Sequence, residues 1–192
     1  MRYLKATAQG KDCKGSADTV ILQFYQHHSD CPDELMHEVI AVVTGADGAH
    51  VELRLGDVAP DALDMDKHQL ETFALGFLKL NWFNTANHRQ RTLNLYADHF
   101  GKTGRPNALK LDFHESTVTG GKASLVYTAA AYDADSDGVL ESFTNGDIDR
   151  NGVADHADKE LIRALCTAFL KLAWFDLHAC RAWSKQEEPC VI

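Results

Sequence analysis

The chain has 192 residues, 45% of them hydrophobic and 24% charged, with a formal net charge of −9. This suits one domain with a sizeable core and excludes a nucleic-acid backbone partner, whose phosphates call for clustered Lys and Arg. No apolar run approaches the ~20 residues that cross a bilayer, and Met1-Arg2-Tyr3-Leu4-Lys5 leads into polar residues in place of a signal-peptide core. The chain as given therefore reads as cytoplasmic, or as periplasmic or extracellular if a signal peptide has been removed.

A polar segment ending at Ser16 precedes a strand, Val20 to Gln26, with Val20, Leu22 and Phe24 on one face. The turn from His27 to Glu34 leads to a longer strand, His37 to Val43. Ala46-Asp47-Gly48 then reads as a hairpin turn before a third strand, Val51 to Leu55, because Asp-Gly accepts the positive φ that such turns need. A helix is expected from Asp66 to Arg91, opened by a capping box of Asp66 and Gln69. Tyr96 to Pro106 reads as a connector.

The same order then returns. Leu109 to His114, Ser124 to Tyr132 and Glu141 to Asn145 are the matching strands, with turns at Gly120-Gly121-Lys122 and Ser136-Asp137-Gly138, and a second helix is expected from Asp158 to Trp183. The repeat is plainest in Phe77-Leu78-Lys79-Leu80-Asn81-Trp82-Phe83, which recurs as Phe169-Leu170-Lys171-Leu172-Ala173-Trp174-Phe175 at an offset of 169 − 77 = 92. The expected fold is α+β: a tandem βββα repeat with pseudo-two-fold symmetry, forming an antiparallel sheet of about six strands with two long helices packed together on one face. Two three-stranded layers sandwiching the helices are the alternative. The boundaries are repeat one at 17–95, linker 96–106, repeat two at 107–184 and a tail at 185–192, all in a single domain.

The two copies differ where chemistry is expected. Seven Asp and one Glu stand against one Arg between Asp133 and Asp158, and the second copy gains two residues ahead of its helix. The result is a twelve-residue run, Asp147-Ile148-Asp149-Arg150-Asn151-Gly152-Val153-Ala154-Asp155-His156-Ala157-Asp158. It offers side-chain oxygen at positions 1, 3, 5, 9 and 12, a backbone carbonyl from Val153 at position 7, and Gly152 at the sharp bend, a pattern that suits a hard cation. The loop resembles the calcium loop of EF-hands and, with Asp at position 12 before a single outgoing helix, that of dockerin modules. The likeness covers these twelve residues alone. It implies calcium as the cofactor, held by Asp147, Asp149, Asn151, the Val153 carbonyl, Asp155 and Asp158. A solvated acidic connector is the plainer reading, with Asp158 aligned to the helix-capping Asp66. Asp133, Asp135 and Asp137 share the spacing, but the first copy has a hairpin there, so a turn is expected.

Two further clusters stand out. His27, His28, Cys31 and His37 are soft donors around one turn, suited to zinc or copper. His88 and Arg89 with His178 and Arg181 lie near both expected helix ends, where an anionic ligand would fit between the repeats. Five cysteines, Cys13, Cys31, Cys166, Cys180 and Cys190, cannot all pair in one chain and match no zinc-finger or CxxC spacing, so free thiols are expected. No nucleophile elbow, Walker loop, dinucleotide fingerprint or HExxH is present. The expectation is a non-catalytic, calcium-stabilised binding or scaffold protein whose partner is another protein, with oligomeric state open. The alternative is a small-molecule-binding protein or enzyme using the His/Arg pocket.

Overall fold

In a computed structural model the described residues form one eight-stranded antiparallel sheet with two helices. The described residues are 1–9, 17–44, 50–56, 65–80, 89–99, 106–117, 123–135 and 137–176. Along the chain run β1 (Arg2–Gln9), β2 (Thr19–Gln26), β3 (Glu34–Thr44), β4 (His50–Leu55) and α1 (Lys67–Leu78). After them come β5 (Arg89–Asp98), β6 (Ala108–Thr117), β7 (Ser124–Tyr132), β8 (Ser142–Phe143) and α2 (His156–Leu172). The strand order β4-β3-β2-β1-β5-β6-β7-β8 reads the same from either edge, with the two halves joined where β1 pairs with β5.

The six-strand βββα expectation is thus corrected to four strands and a helix per half. The two strands that were missed are the central ones. In β1 the inward residues are Leu4, Ala6 and Ala8, two of them small, so the segment does not look apolar, yet it is paired on both sides. β5 occupies residues that the expected helix and connector had claimed, with Leu93, Leu95 and Ala97 directed to the core and Thr92, Asn94 and Tyr96 between them. A helix running to Arg91 cannot coexist with a strand that starts at Arg89. Accordingly α1 is only 12 residues long. α2 starts at His156 rather than Asp158 and stops at Leu172, where Ala173 takes a left-handed φ of 53°.

The core lies between the helices and one sheet face. Leu4, Leu22, Phe24, Leu93, Leu95, Leu111 and Phe113 from the strands meet Leu70, Phe73 and Phe77 of α1 and Ile162, Leu165, Cys166 and Phe169 of α2. The helices pack directly on each other. The approach is close at Gly76, where a Cβ would sit 3.3 Å from Leu165 Cδ2. Trp174, expected inside the second helix, lies beyond it. It sits edge-on to Phe24 and His37 and donates its indole N–H to the Tyr25 carbonyl at 3.2 Å. The opposite sheet face is polar, centred on a ladder of Tyr25, Tyr3 and Tyr96 with ring centroids 5.1 and 5.3 Å apart. Among the described residues no helix is long and apolar enough to cross a membrane.

The hairpin turns expected at Ala46-Asp47-Gly48 and Gly120-Gly121-Lys122 lie outside the described residues, as does most of the connector.

Candidate metal centre

The acidic segment folds as two successive loops between β7 and α2. In the second, Asp147 and Asp149 crown a turn closed by their own carboxylates. Asp147 Oδ1 accepts from Asn151 N–H at 3.0 Å and Oδ2 from Gly152 N–H at 2.9 Å. Asp149 Oδ1 also accepts from Asn151 N–H at 3.0 Å, and Asn151 Oδ1 accepts from Val153 N–H at 2.8 Å. Such side-chain turns are what Asp and Asn do when the backbone has no ladder partner. Gly152, with φ of +96°, makes the bend, and Arg150 precedes it at φ of +55°. Between the two aspartates Ile148 is fully buried and ties the loop to the core.

Asp158 closes the loop from the helix side. It is 1% exposed, and its Oδ1 accepts from Ile148 N–H at 2.7 Å and Asp149 N–H at 3.1 Å while Oδ2 accepts from Asp155 N–H at 2.8 Å. Burial alone pushes its pKa up, but these backbone donors outweigh that and hold it below the ordinary carboxylate value. Asp155, not Asp158, is the N-cap of α2, and it accepts from Ala157 N–H at 2.7 Å in a capping box of which Asp158 is the other member. The expected alignment of Asp158 with Asp66 holds in sequence but not in role, because α2 begins a turn earlier than α1.

One carboxylate oxygen from each of Asp147, Asp149 and Asp158 lies within 4.8 Å of the others. Asn151 stands beside them, its Nδ2 donating to Asp149 Oδ2 at 3.0 Å. Val153 is exposed at the loop's tip, and Asp155 is engaged as the cap. Arg150 reaches to 4.0 Å from Glu115 on β6 and also interacts electrostatically with Asp147. Tyr127 of β7 packs behind the loop entrance. Among the described residues its buried hydroxyl has no hydrogen-bond partner, and a Cβ on Gly146 would lie 1.9 Å from it, so glycine suits that position. Burial, with Asp158 and Asp147 nearby, raises the Tyr127 pKa.

The first loop repeats the second. Asp133 Oδ1 and Oδ2 accept from Asp137 and Gly138 N–H at 3.1 and 2.8 Å, Asp135 Oδ1 from Asp137 N–H at 3.2 Å, and Asp137 Oδ1 from Val139 N–H at 2.8 Å. Gly138 has the same φ of +96°. Every bond matches one in the second loop at an offset of 147 − 133 = 14. With Glu141, these three aspartates place an oxygen each within 4.8 Å of one another. The sequence held this signal in the recurring Asp-x-Asp-x-(Asp/Asn)-Gly-Val. Comparison with the hairpin of the first copy masked it.

The soft donors fare differently. Among the described residues His27, His28, Cys31 and His37 do not form a cluster of converged ligand atoms. His37 is under Trp174, while His27, His28 and Cys31 line one surface hollow of about 730 Å³ with Met1, Asp30 and Glu34. Of the expected His/Arg pocket, His88, His178 and Arg181 lie outside the described residues, and Arg89 opens β5.

No protein-family model, curated protein or solved structure matches the chain.

Proposed function

We propose that the protein is a non-catalytic binding or scaffold protein stabilised by calcium, with the ion at residues 147–158. The observation that carries this reading is the meeting of Asp147, Asp149 and Asp158, from both ends of a glycine-bent loop. Oxygen donors alone select a hard cation. Asp158 Oδ2 accepts one backbone hydrogen bond and keeps a lone pair for an ion. Asn151 Oδ1 and the exposed Val153 carbonyl complete the set on the loop side, with Asp155 reached through water. Calcium here would offset the local negative charge and lock the entry to α2, which is a structural role. The net charge of −9 favours a protein partner over nucleic acid.

The test is thermal unfolding with millimolar calcium, magnesium, or a panel of small metabolites. A rise with calcium that disappears in Asp149→Ala supports the reading. A rise only with a metabolite supports a ligand-binding protein or enzyme instead. Calorimetry separates the loops: loss of an ion in Asp149→Ala assigns residues 147–158, and two ions in the parent extend the reading to residues 133–141.

A further inference from the structure

Arg150 stands inside the acidic loop, between Asp149 and Asn151, and the calcium reading gives it no part. Its backbone takes a left-handed φ of +55°, a conformation that glycine, asparagine or aspartate adopts at less cost than arginine. The side chain is set between two carboxylates. Its Nη1 lies 4.0 Å from Glu115 Oε1 on β6, and its charge also acts on Asp147. Glu115 is held in turn by Arg91, whose Nε donates to the same Oε1 at 2.6 Å. Two guanidiniums therefore share one carboxylate. Burial, then repulsion from Arg91, lowers the Arg150 pKa despite the pull of Glu115 and Asp147. An arginine nevertheless stays protonated in a protein, so the loop carries a fixed positive charge at its flank.

The first acidic loop supplies a comparison. Its hydrogen bonds match those of the second, yet the residue corresponding to Arg150 is Ser136, at the same offset of 150 − 136 = 14, and it carries no charge. The cation thus belongs to the second loop and not to the turn that both loops share. We propose that Arg150 is the internal counter-charge of the loop at residues 147–158: it offsets Asp147 while the loop is empty, opposes an incoming cation, and is held off the loop carboxylates by Glu115. This rests on the calcium reading of that loop and names what sets its affinity. An ion entering beside Asp147 works against the field of the guanidinium. Glu115 acts in the opposite sense, because it neutralises and retains Arg150, and so favours the ion without being a ligand.

Calorimetry on the full chain with calcium reads the sign of each effect, taking the binding heat that Asp149→Ala removes. Arg150→Gln should tighten binding about 2–5-fold, the range of ion pairs near a surface, while Arg150→Lys, which keeps the charge, should stay close to the parent. Glu115→Gln should weaken binding by a similar factor. The double variant should bind as Arg150→Gln does, because Glu115 acts through Arg150. If each substitution acted only through overall charge, the double variant would return to the affinity of the parent; that result, or unchanged binding in Arg150→Gln, overturns the proposal. A second measurement needs no calcium. In chelator, a double-mutant cycle of Arg150→Gln with Asp147→Asn, read by denaturant unfolding, should show favourable coupling that shrinks with added salt. Absence of coupling overturns the counter-charge role even where calcium binds. Coupling in a parent that gives no calcium heat upholds the counter-charge and overturns the calcium reading, so the two can fail separately.

Discussion

Asp158, in the first turn of α2, accepts a hydrogen bond at 2.7 Å from the backbone N–H of Ile148, ten residues earlier in the chain. That bond makes the acidic loop and the helix one unit. Asp158→Ala leaves three backbone donors without their acceptor at a site 1% exposed. Hydrogen bonds to charged groups contribute about 1.5–3 kcal/mol each, with partial replacement by water, so a loss of about 3 kcal/mol is expected in denaturant unfolding. A cost under about 1 kcal/mol would mean that the loop and helix fold independently.

The pH dependence follows from the same carboxylate. Its folded pKa is lowered, so its contribution is fully present above the ordinary carboxylate value of about 3.9 and is lost as pH falls through the folded pKa. Asp158→Asn should therefore be less stable than the parent at neutral pH, with the difference shrinking at the acid end. Parallel stability curves for the two proteins across that range would contradict this assignment.

Calcium should bind weakly. Asp158 contributes one free lone pair and carries the shorter Asp side chain at the loop's last position, so a dissociation constant on the order of 10⁻⁴–10⁻³ M is expected. At an excess of 100-fold over that constant, linkage gives about 2.7 kcal/mol, a shift of several degrees in Tm. An unchanged melting curve in millimolar calcium, together with a crystal grown in calcium that shows no ion near Asp147, would leave the loop as a hydrogen-bonded connector.

The helix pair supplies a further check. Phe77 and Phe169 are fully buried in equivalent places, and truncating either to Ala should cost about 3–5 kcal/mol. At Gly76 the outcome is finer. Ala is favoured over Gly by about 1 kcal/mol in a helix, but its Cβ would stand 3.3 Å from Leu165 Cδ2. Gly76→Ala should fall within about 1 kcal/mol of the parent, and Gly76→Leu should cost about 1–3 kcal/mol by forcing the helices apart. Equal stability for Gly76→Leu would show that the helices are not in tight contact there.

Thiol labelling distinguishes two cysteines. Cys166 is fully buried and burial pushes its pKa up, whereas Cys31 is exposed. Peptide mapping after brief alkylation of the native protein should find Cys31 modified and Cys166 untouched. Modification at Cys166 would put the buried face of α2 in the wrong phase.

By itself the sequence determined the internal duplication, the inward faces of β2 and β6, the shared helix motif and the oxygen-rich loop. These are local or periodic signals: alternation in Leu109-Lys110-Leu111-Asp112-Phe113, identity between Phe77-Leu78-Lys79-Leu80 and Phe169-Leu170-Lys171-Leu172, and the spacing of Asp and Asn from Asp147 to Asp158. Tertiary structure alone decided the two central strands. In β1, Ala6 and Ala8 carry little apolar signal, and the segment is a strand because β2 and β5 satisfy its backbone on both sides. It also decided where α1 stops, since residues from Arg89 onward form ten pairs with β6 that a longer helix would forgo. The acidic segment was read against its aligned hairpin, but the better comparison was with itself fourteen residues on. Side-chain-to-backbone bonds within each loop set that geometry, and Asp155 caps α2 while Asp158, the other member of the capping box, also holds Ile148 and Asp149.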